Sequence, residues 1–151
     1  VDEVRVDAIG IGAGVWEYLI EYAPPTMTLW AMKGNGQSPD FDRWYNARAY
    51  WYDTLRDRLA KNTLQLPDYK RLKDEFPQIQ YKIMNGESML IESKEDMRRR
   101  GVKSPDVLDA VVYAVADIHG EEMAVGGSIG VEEDAYEDDY DYDYVPTIAP
   151  F

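Results

Sequence analysis

The sequence contains no cysteine and a single histidine, His119. Disulfides and thiolate metal sites are therefore excluded, and one imidazole cannot form a histidine cluster. Any metal ion bound by this chain must be held by oxygen ligands. Carboxylate sites of that kind suit hard divalent cations such as Mg²⁺ and Mn²⁺.

Long apolar runs are also lacking. No stretch of the 151 residues is apolar for long enough to span a bilayer, and the N-terminus has no basic-then-apolar signal segment. We therefore expect a soluble intracellular protein. The length suits one domain with a hydrophobic core.

Basic residues are missing from the end of the chain. Residues 121–151 contain ten acidic residues and no Lys or Arg, so the first 120 residues keep 16 basic and 19 acidic residues. The overall charge of −13 thus falls to −3 there. We expect a nearly neutral domain at 1–120 and an acidic tail at 121–151 that cannot fold alone. The tail is interpreted as solvated, with a docking segment or a DNA mimic as alternatives.

The chain begins with an alternating apolar pattern that predicts a strand ending at Asp7. A glycine-rich turn at 10–14 and a predicted helix at 15–22 follow, which together indicate an α/β unit. Val15 stands where a dinucleotide fingerprint needs its third glycine, and no phosphate-loop lysine follows, so nucleotide binding is disfavoured. Open α/β sheets place their sites at the carboxyl ends of strands, where Asp7 lies.

The middle of the chain reads as an alternation of helices and strands. The helix at 41–60 carries large apolar residues at helical spacing, which predicts core packing, while its Asn46 and Arg48 face either a ligand or solvent. Asn85-Gly86 is a strong hairpin signal. The remaining predicted elements are strands at 27–32, 79–84 and 88–92 and a short helix at 66–76.

The most informative stretch is the helix predicted at 104–117, with Ser104 as its cap and Pro105 in its first position. Its apolar residues lie on almost all sides, which predicts a buried helix. Asp109 interrupts this run, three residues after Asp106 and therefore on the same face. A buried unpaired carboxylate is costly, so Asp109 needs a cation, and we favour a metal or catalytic role. Asp106 has an equally good explanation as a charge favoured by the helix N-terminus.

Five cations precede this helix and form what we term the basic cluster: Lys94, Arg98, Arg99, Arg100 and Lys103. Such a run is either a solvated face or a surface that holds a phosphate backbone beside a metal site. Phosphoryl transfer requires the second combination, in which cations neutralise phosphate charge next to metal-holding carboxylates.

Several segments together resemble the C-terminal nuclease domain of the large terminase subunit of tailed bacteriophages. The resemblance covers residues 1–118 and rests on order and spacing. The matching segments are Val6-Asp7-Ala8-Ile9-Gly10-Ile11-Gly12-Ala13-Gly14-Val15, Asn46-Ala47-Arg48-Ala49, Ile91-Glu92-Ser93-Lys94, Met97-Arg98-Arg99-Arg100-Gly101, Lys103-Ser104-Pro105-Asp106 and Asp109-Ala110.

The resemblance implies a ribonuclease H-like fold, related to Holliday-junction resolvases, in which a mixed α/β sheet is flanked by helices. It also implies metal-dependent cleavage of concatemeric double-stranded DNA. Asp7, Asp106 and Asp109 match the family's acids and would hold two Mg²⁺ or Mn²⁺ ions, which activate water and stabilise the leaving oxygen. Which of Asp106 and Asp109 is the direct ligand stays open.

The resemblance further implies partners and a location. Besides DNA, these are the ATPase domain of the large subunit, the portal protein and the small terminase subunit, met in the host cytoplasm at the procapsid portal, with no membrane involved. The family's first catalytic acid lies on a strand upstream of this chain, whose three opening antiparallel strands are missing. An N-terminally incomplete fold is therefore expected, and no ATPase phosphate loop is present.

A site that lacks one acid should have little nuclease activity alone unless Glu92 or Glu3 substitutes. The alternative interpretation is a non-catalytic interaction fragment, which docks through its acidic tail or an exposed sheet edge.

Overall fold

The computed structural model describes residues 2–117 and 149–150, so the predicted acidic tail lies outside the described residues except at 149–150. Helices and strands alternate as predicted, which confirms the α/β class. No described helix is long and apolar enough to cross a membrane. The elements are β1 (Glu3–Asp7), α1 (Ile11–Tyr22), β2 (Thr28–Met32), α2 (Ala47–Ala60), α3 (Lys70–Glu75), a 3₁₀ turn (Phe76–Gln78), β3 (Gln80–Met84), β4 (Ser88–Ile91), α4 (Lys94–Arg99), α5 (Asp106–Val115) and β5 (Ala149–Pro150).

Strands β1 and β2 form a two-stranded parallel sheet, in register from Glu3 opposite Thr28 to Asp7 opposite Met32. Helix α1 connects them and begins four residues before the predicted start. The reason is that the glycine-rich turn itself supplies the first helical turn, where the Gly12 N–H donates to the Ile9 carbonyl at 3.2 Å.

The first turn of α1 lies very close to the end of β1. A Cβ atom added at Gly12 would lie 1.8 Å from the carbonyl oxygen of Asp7, so only glycine fits there. Gly10, which precedes the helix, has a φ of 61°, a left-handed conformation that glycine adopts readily. The glycines therefore serve close packing against Asp7.

The predicted hairpin of β3 and β4 is confirmed, with Asn85 and Gly86 at positive φ in its turn. β5 pairs antiparallel with the other edge of β3. The far edge of β4 is covered by an extended segment, because the Met89 backbone exchanges 2.9 Å hydrogen bonds with Arg43 and Tyr45.

Helix α2 begins at Ala47, so the predicted start near residue 41 is wrong. Asn46 caps the helix by accepting from the Ala49 N–H at 3.0 Å, and the residues before it pair with β4 instead. α3 likewise begins at Lys70, later than predicted. Packing of α2 against β4 and α5 forms the core, whose large fully buried side chains include Tyr52, Leu55, Ile79, Met97, Leu108 and Val112.

Two expectations for α5 are wrong. Ser104 does not cap it. Pro105 occupies the cap position, and the missing acceptor comes from Glu75 of α3, which accepts from the Leu108 N–H at 2.7 Å. The helix is also not buried on all sides, because it packs against α2, α3 and β1 while Ala110 and Ala114 are exposed.

Candidate functional site

Two carboxylates from distant parts of the chain meet around one lysine. Asp7 ends β1, Asp109 lies in the first turn of α5, and Lys94 begins α4. The Lys94 Nζ lies 3.8 Å from the Asp7 Oδ2 and 3.5 Å from the Asp109 Oδ2. Since neighbouring carboxylates repel each other, a positive charge between them stabilises the pair.

The two oxygens of Asp7 have different surroundings. Its Oδ1 accepts a hydrogen bond from the Ile9 N–H at 3.1 Å, within the turn that the glycines form. Its Oδ2 faces Lys94, and about a third of the side chain is exposed. The backbone therefore orients one oxygen and leaves the other accessible to a ligand.

Asp109 is buried, and its oxygens are also unequal. Its Oδ1 accepts from the Tyr52 hydroxyl at 2.6 Å and from the Arg48 Nη2 at 3.4 Å. Its Oδ2 is buried and has no hydrogen-bond partner, although the Lys94 ammonium lies nearby. The cations expected for Asp109 are thus Arg48 and Lys94, and the oxygen without a hydrogen bond is the one that shares Lys94 with Asp7.

Helix α2 supports this arrangement from behind. Arg48 donates to the Glu92 carbonyl at 2.7 Å, and its guanidinium lies 5.1 Å from the centre of the Tyr52 ring. Burial raises the pKa of Tyr52, and burial followed by the charges of Asp7 and Asp109 raises the pKa of Tyr113. Both hydroxyls therefore stay protonated near neutral pH, so each remains able to donate a hydrogen bond to a carboxylate.

Asp106 does not join this cluster. Its side chain is 67% exposed and pairs with Arg71 of α3 at 3.1 Å. The three-residue step that puts Asp106 on the same side of the helix also moves it towards the N-terminal end, where α3 packs. In the part of the chain that the structure describes, no three acidic or histidine side chains are grouped closely enough to hold an ion together. The structure brings together two of the three predicted ligands.

Neither substitute acid is available. Glu92 is buried, accepts from the Gln80 N–H at 2.8 Å and pairs with Arg100 at 2.6 Å. Glu3 pairs with Arg5 at 2.5 Å. These carboxylates stabilise the fold rather than face the Lys94 position.

The predicted basic cluster is divided by the structure. Lys94 lies between the carboxylates, and Arg100 is held by Glu92 and by the Gln78 carbonyl. Arg99 pairs with acidic residues of its own helix, Glu95 and Asp96. Arg98 and Lys103 are exposed. Exposed cations remain on α4 and on the loop to α5, beside the carboxylates.

Sequence reasoning missed three residues that hold the site: Arg5, Tyr52 and Glu75. A signal existed for Tyr52, because it lies four residues after Arg48 and shares its helix face. Arg5 lies two residues before Asp7 and therefore on the same face of β1. No local pattern marks Glu75, whose contact with α5 spans 33 residues of sequence.

The donor set fits one hard divalent ion. Two carboxylate oxygens, one of them buried without a hydrogen bond, surround a point that carries positive charge in this structure. Mg²⁺ is commonly held by one or two carboxylates, with water completing its coordination. Two carboxylates do not by themselves provide the ligands of a two-ion site.

No protein-family model matches the sequence, and neither does any curated protein. Solved structures do match. The nuclease domain of the large terminase subunit gp2 of bacterial virus Sf6 is 24% identical, with a TM-score of 0.64, over 74% of this chain and 64% of that domain.

Two lysine-to-alanine variants of the same viral protein also match, each at 23% identity and over 74% of this chain. One was solved with manganese (TM-score 0.62, 64% of that chain) and the other with calcium (TM-score 0.63, 63% of that chain). This chain thus spans slightly less than two thirds of the length of these domains. The expected resemblance is confirmed at the level of the fold, and the chain has the ribonuclease H-like fold of a terminase nuclease domain.

Proposed function

We propose that this chain is part of a phage DNA-packaging terminase nuclease, which cuts double-stranded DNA with the help of Mg²⁺ or Mn²⁺. The observation that carries the proposal is the buried Asp109 Oδ2, which has no hydrogen-bond partner and shares the Lys94 ammonium with Asp7. A protein fold rarely buries a carboxylate oxygen in that condition unless it serves a ligand. The fold of the neighbouring viral nuclease domains supports the same function.

In this proposal Asp7 and Asp109 hold the ion through their Oδ2 atoms. A bound divalent ion supplies Lewis acidity at the scissile phosphate. Tyr52 and Arg48 fix the Asp109 Oδ1, so the carboxylate cannot rotate away from the ion. Lys94 leaves the carboxylates when the ion arrives and offers its charge to the DNA phosphate.

The two-ion mechanism requires a further ligand. Asp106 is the remaining sequence-predicted acid, but it is paired with Arg71 on the side of α5 that faces α3. We therefore assign one ion to Asp7 and Asp109, and a second ion to whatever acid is supplied from outside the described residues.

DNA would contact the exposed part of the basic cluster. Arg98 and Lys103 lie on α4 and the following loop, within the same segment that brings Lys94 to the carboxylates. Contacts of this type neutralise phosphates and position the duplex without reading its sequence. Arg100 is left out of this surface because Glu92 already holds it.

The function is tested by nicking of supercoiled plasmid in Mn²⁺. We expect slow nicking by the wild type, its loss in both Asp7→Asn and Asp109→Asn, and its retention in Asp106→Asn. Equal nicking by all four proteins would reveal a contaminant and refute the assignment of the site. No nicking by a cooperatively folded wild type would favour the second candidate function.

The second candidate is a non-catalytic interaction fragment of the packaging motor. It is favoured by the exposed face of α1, where Val15, Tyr18 and Tyr22 are all more than half exposed and the two tyrosine rings lie 4.7 Å apart. Exposed apolar patches of this kind mark protein contacts. The candidate partners are the ATPase domain, the portal protein and the small terminase subunit. Loss of copurification with one of them in Tyr18→Ser, at unchanged melting temperature, would support this function.

A further inference from the structure

The C-terminal end of α5 is bound by an arginine from β1. The Arg5 Nη1 donates to the carbonyls of Tyr113 and Ala116, both at 2.8 Å, and to that of Ala114 at 3.3 Å. The last carbonyls of a helix lack partners within the helix, and a cation at this end also interacts favourably with the helix dipole. One side chain therefore joins the first strand to the last described helix.

This contact lies a short distance from the carboxylates along both elements. Asp7 is two residues after Arg5 and on the same face of β1, about 7 Å further along the strand. Asp109 is one turn before Tyr113 on α5, about 6 Å along the helix axis. When Arg5 binds the end of α5, Asp7 is therefore placed beside Asp109.

Apolar packing constrains β1 only weakly. No residue of β1 is fully buried, and within the described residues its one strand neighbour is β2. The Arg5 side chain, in contrast, is only 21% exposed and makes its hydrogen bonds to backbone atoms that α5 holds rigidly. The position of β1 along α5 thus depends on this polar contact.

We propose that Arg5 is a positioning residue, which fixes β1 against α5 and so sets the separation of the Asp7 and Asp109 oxygens that receive the ion. This inference rests on the proposed metal site. Arg5 does not touch the ion or either carboxylate, and it acts through the backbone alignment of the two elements that carry them.

The test compares Arg5→Met and Arg5→Lys with Arg58→Met as the matched control. Arg58 pairs with Asp117 at 2.6 Å near the same end of α5, but it belongs to α2 and does not join β1 to α5. Two quantities are measured for each protein: the melting temperature without metal, and Mn²⁺ affinity from the spin-resonance signal of free Mn²⁺ well below that temperature.

We expect Arg5→Met to lower Mn²⁺ affinity by about tenfold or more, the size of effect seen when groups that orient metal ligands are removed. Arg5→Lys should regain most of the lost melting temperature, because it keeps the positive charge at the helix end. It should not regain the affinity, because an ammonium lacks the planar fork that spans separate carbonyls. Arg58→Met should bind Mn²⁺ like the wild type.

The outcomes separate the inference from the function on which it rests. Wild-type affinity in a folded Arg5→Lys or Arg5→Met, or an equal loss in Arg58→Met, would overturn the positioning role while the metal site stands. No Mn²⁺ binding by the wild type would overturn the metal site and the inference with it. If Arg5→Met does not fold, the Arg5→Lys comparison alone decides.

Discussion

Two glycines of α1 should respond in opposite ways to the same substitution. Gly12 and Gly14 both lie in the helix, two residues apart, and alanine in a helix is generally favoured over glycine by about 0.5–1 kcal/mol. A Cβ at Gly14 meets no atom within 4 Å. We therefore expect Gly14→Ala to stabilise the protein by about that amount.

At Gly12 the added Cβ would lie 1.8 Å from the Asp7 carbonyl oxygen, and real contacts of this kind are almost never under 3.0 Å. Helix and strand would have to part by more than an ångström, because the atom that is met belongs to the backbone and not to a flexible side chain. Overpacking of this kind costs about 1–3 kcal/mol, so the two variants should differ by about 2–4 kcal/mol. For a domain of this size the difference is about 8–16 °C in melting temperature.

Thermal unfolding followed by circular dichroism measures this difference, with the wild type between the two variants. Gly12→Ala should also bind Mn²⁺ more weakly, because the Asp7 backbone must move, whereas Gly14→Ala should bind it like the wild type. If both variants were equally stable, the close approach of α1 to Asp7 would be refuted, and with it our explanation of the glycine-rich turn.

Three further predictions follow from named contacts. Tyr52→Phe removes a hydrogen bond to the buried Asp109 carboxylate and should destabilise the protein by about 1.5–3 kcal/mol in denaturant titrations; no change would contradict this contact. Arg100→Met leaves the buried Glu92 carboxylate without its partner and should cost about 3 kcal/mol in the same titration, against less than about 1 kcal/mol for an exposed arginine of α4. Burial raises the pKa of Asp96, but hydrogen bonds from a serine and a lysine outweigh it and hold the pKa below 3.8. This carboxylate therefore stabilises the fold above that pH and ceases to do so as the pH falls further, so the stability lost in Asp96→Asn should be full at pH 7 and shrink towards pH 3.

Local sequence patterns predicted the elements that carry the two acids. Asp7 was found because an alternating strand ends in a glycine turn, and Asp109 because it interrupts an apolar helix. The start of α2 was not found, because Trp44 continues the helical spacing while Asn46 ends the extended segment and caps the helix. Periodicity does not distinguish a residue inside a helix from one just before it.

The groups that hold the site were not predictable in the same way. The Tyr52 hydroxyl meets Asp109 across 57 residues, and Arg5 meets α5 across 108, so both contacts depend on how the elements pack. Asp106 illustrates the reverse case. Helical spacing put it on the face of Asp109, but the packing of α3 pairs it with Arg71 instead.

The central claim is that Asp7 and Asp109 together hold a divalent ion, and Mn²⁺ titration of four proteins tests it most directly. The account predicts that the wild type and Asp106→Asn bind Mn²⁺ equally well, while Asp7→Asn and Asp109→Asn each lose most of the affinity. Unchanged binding in both of the latter variants, or an equal loss in Asp106→Asn, would contradict it.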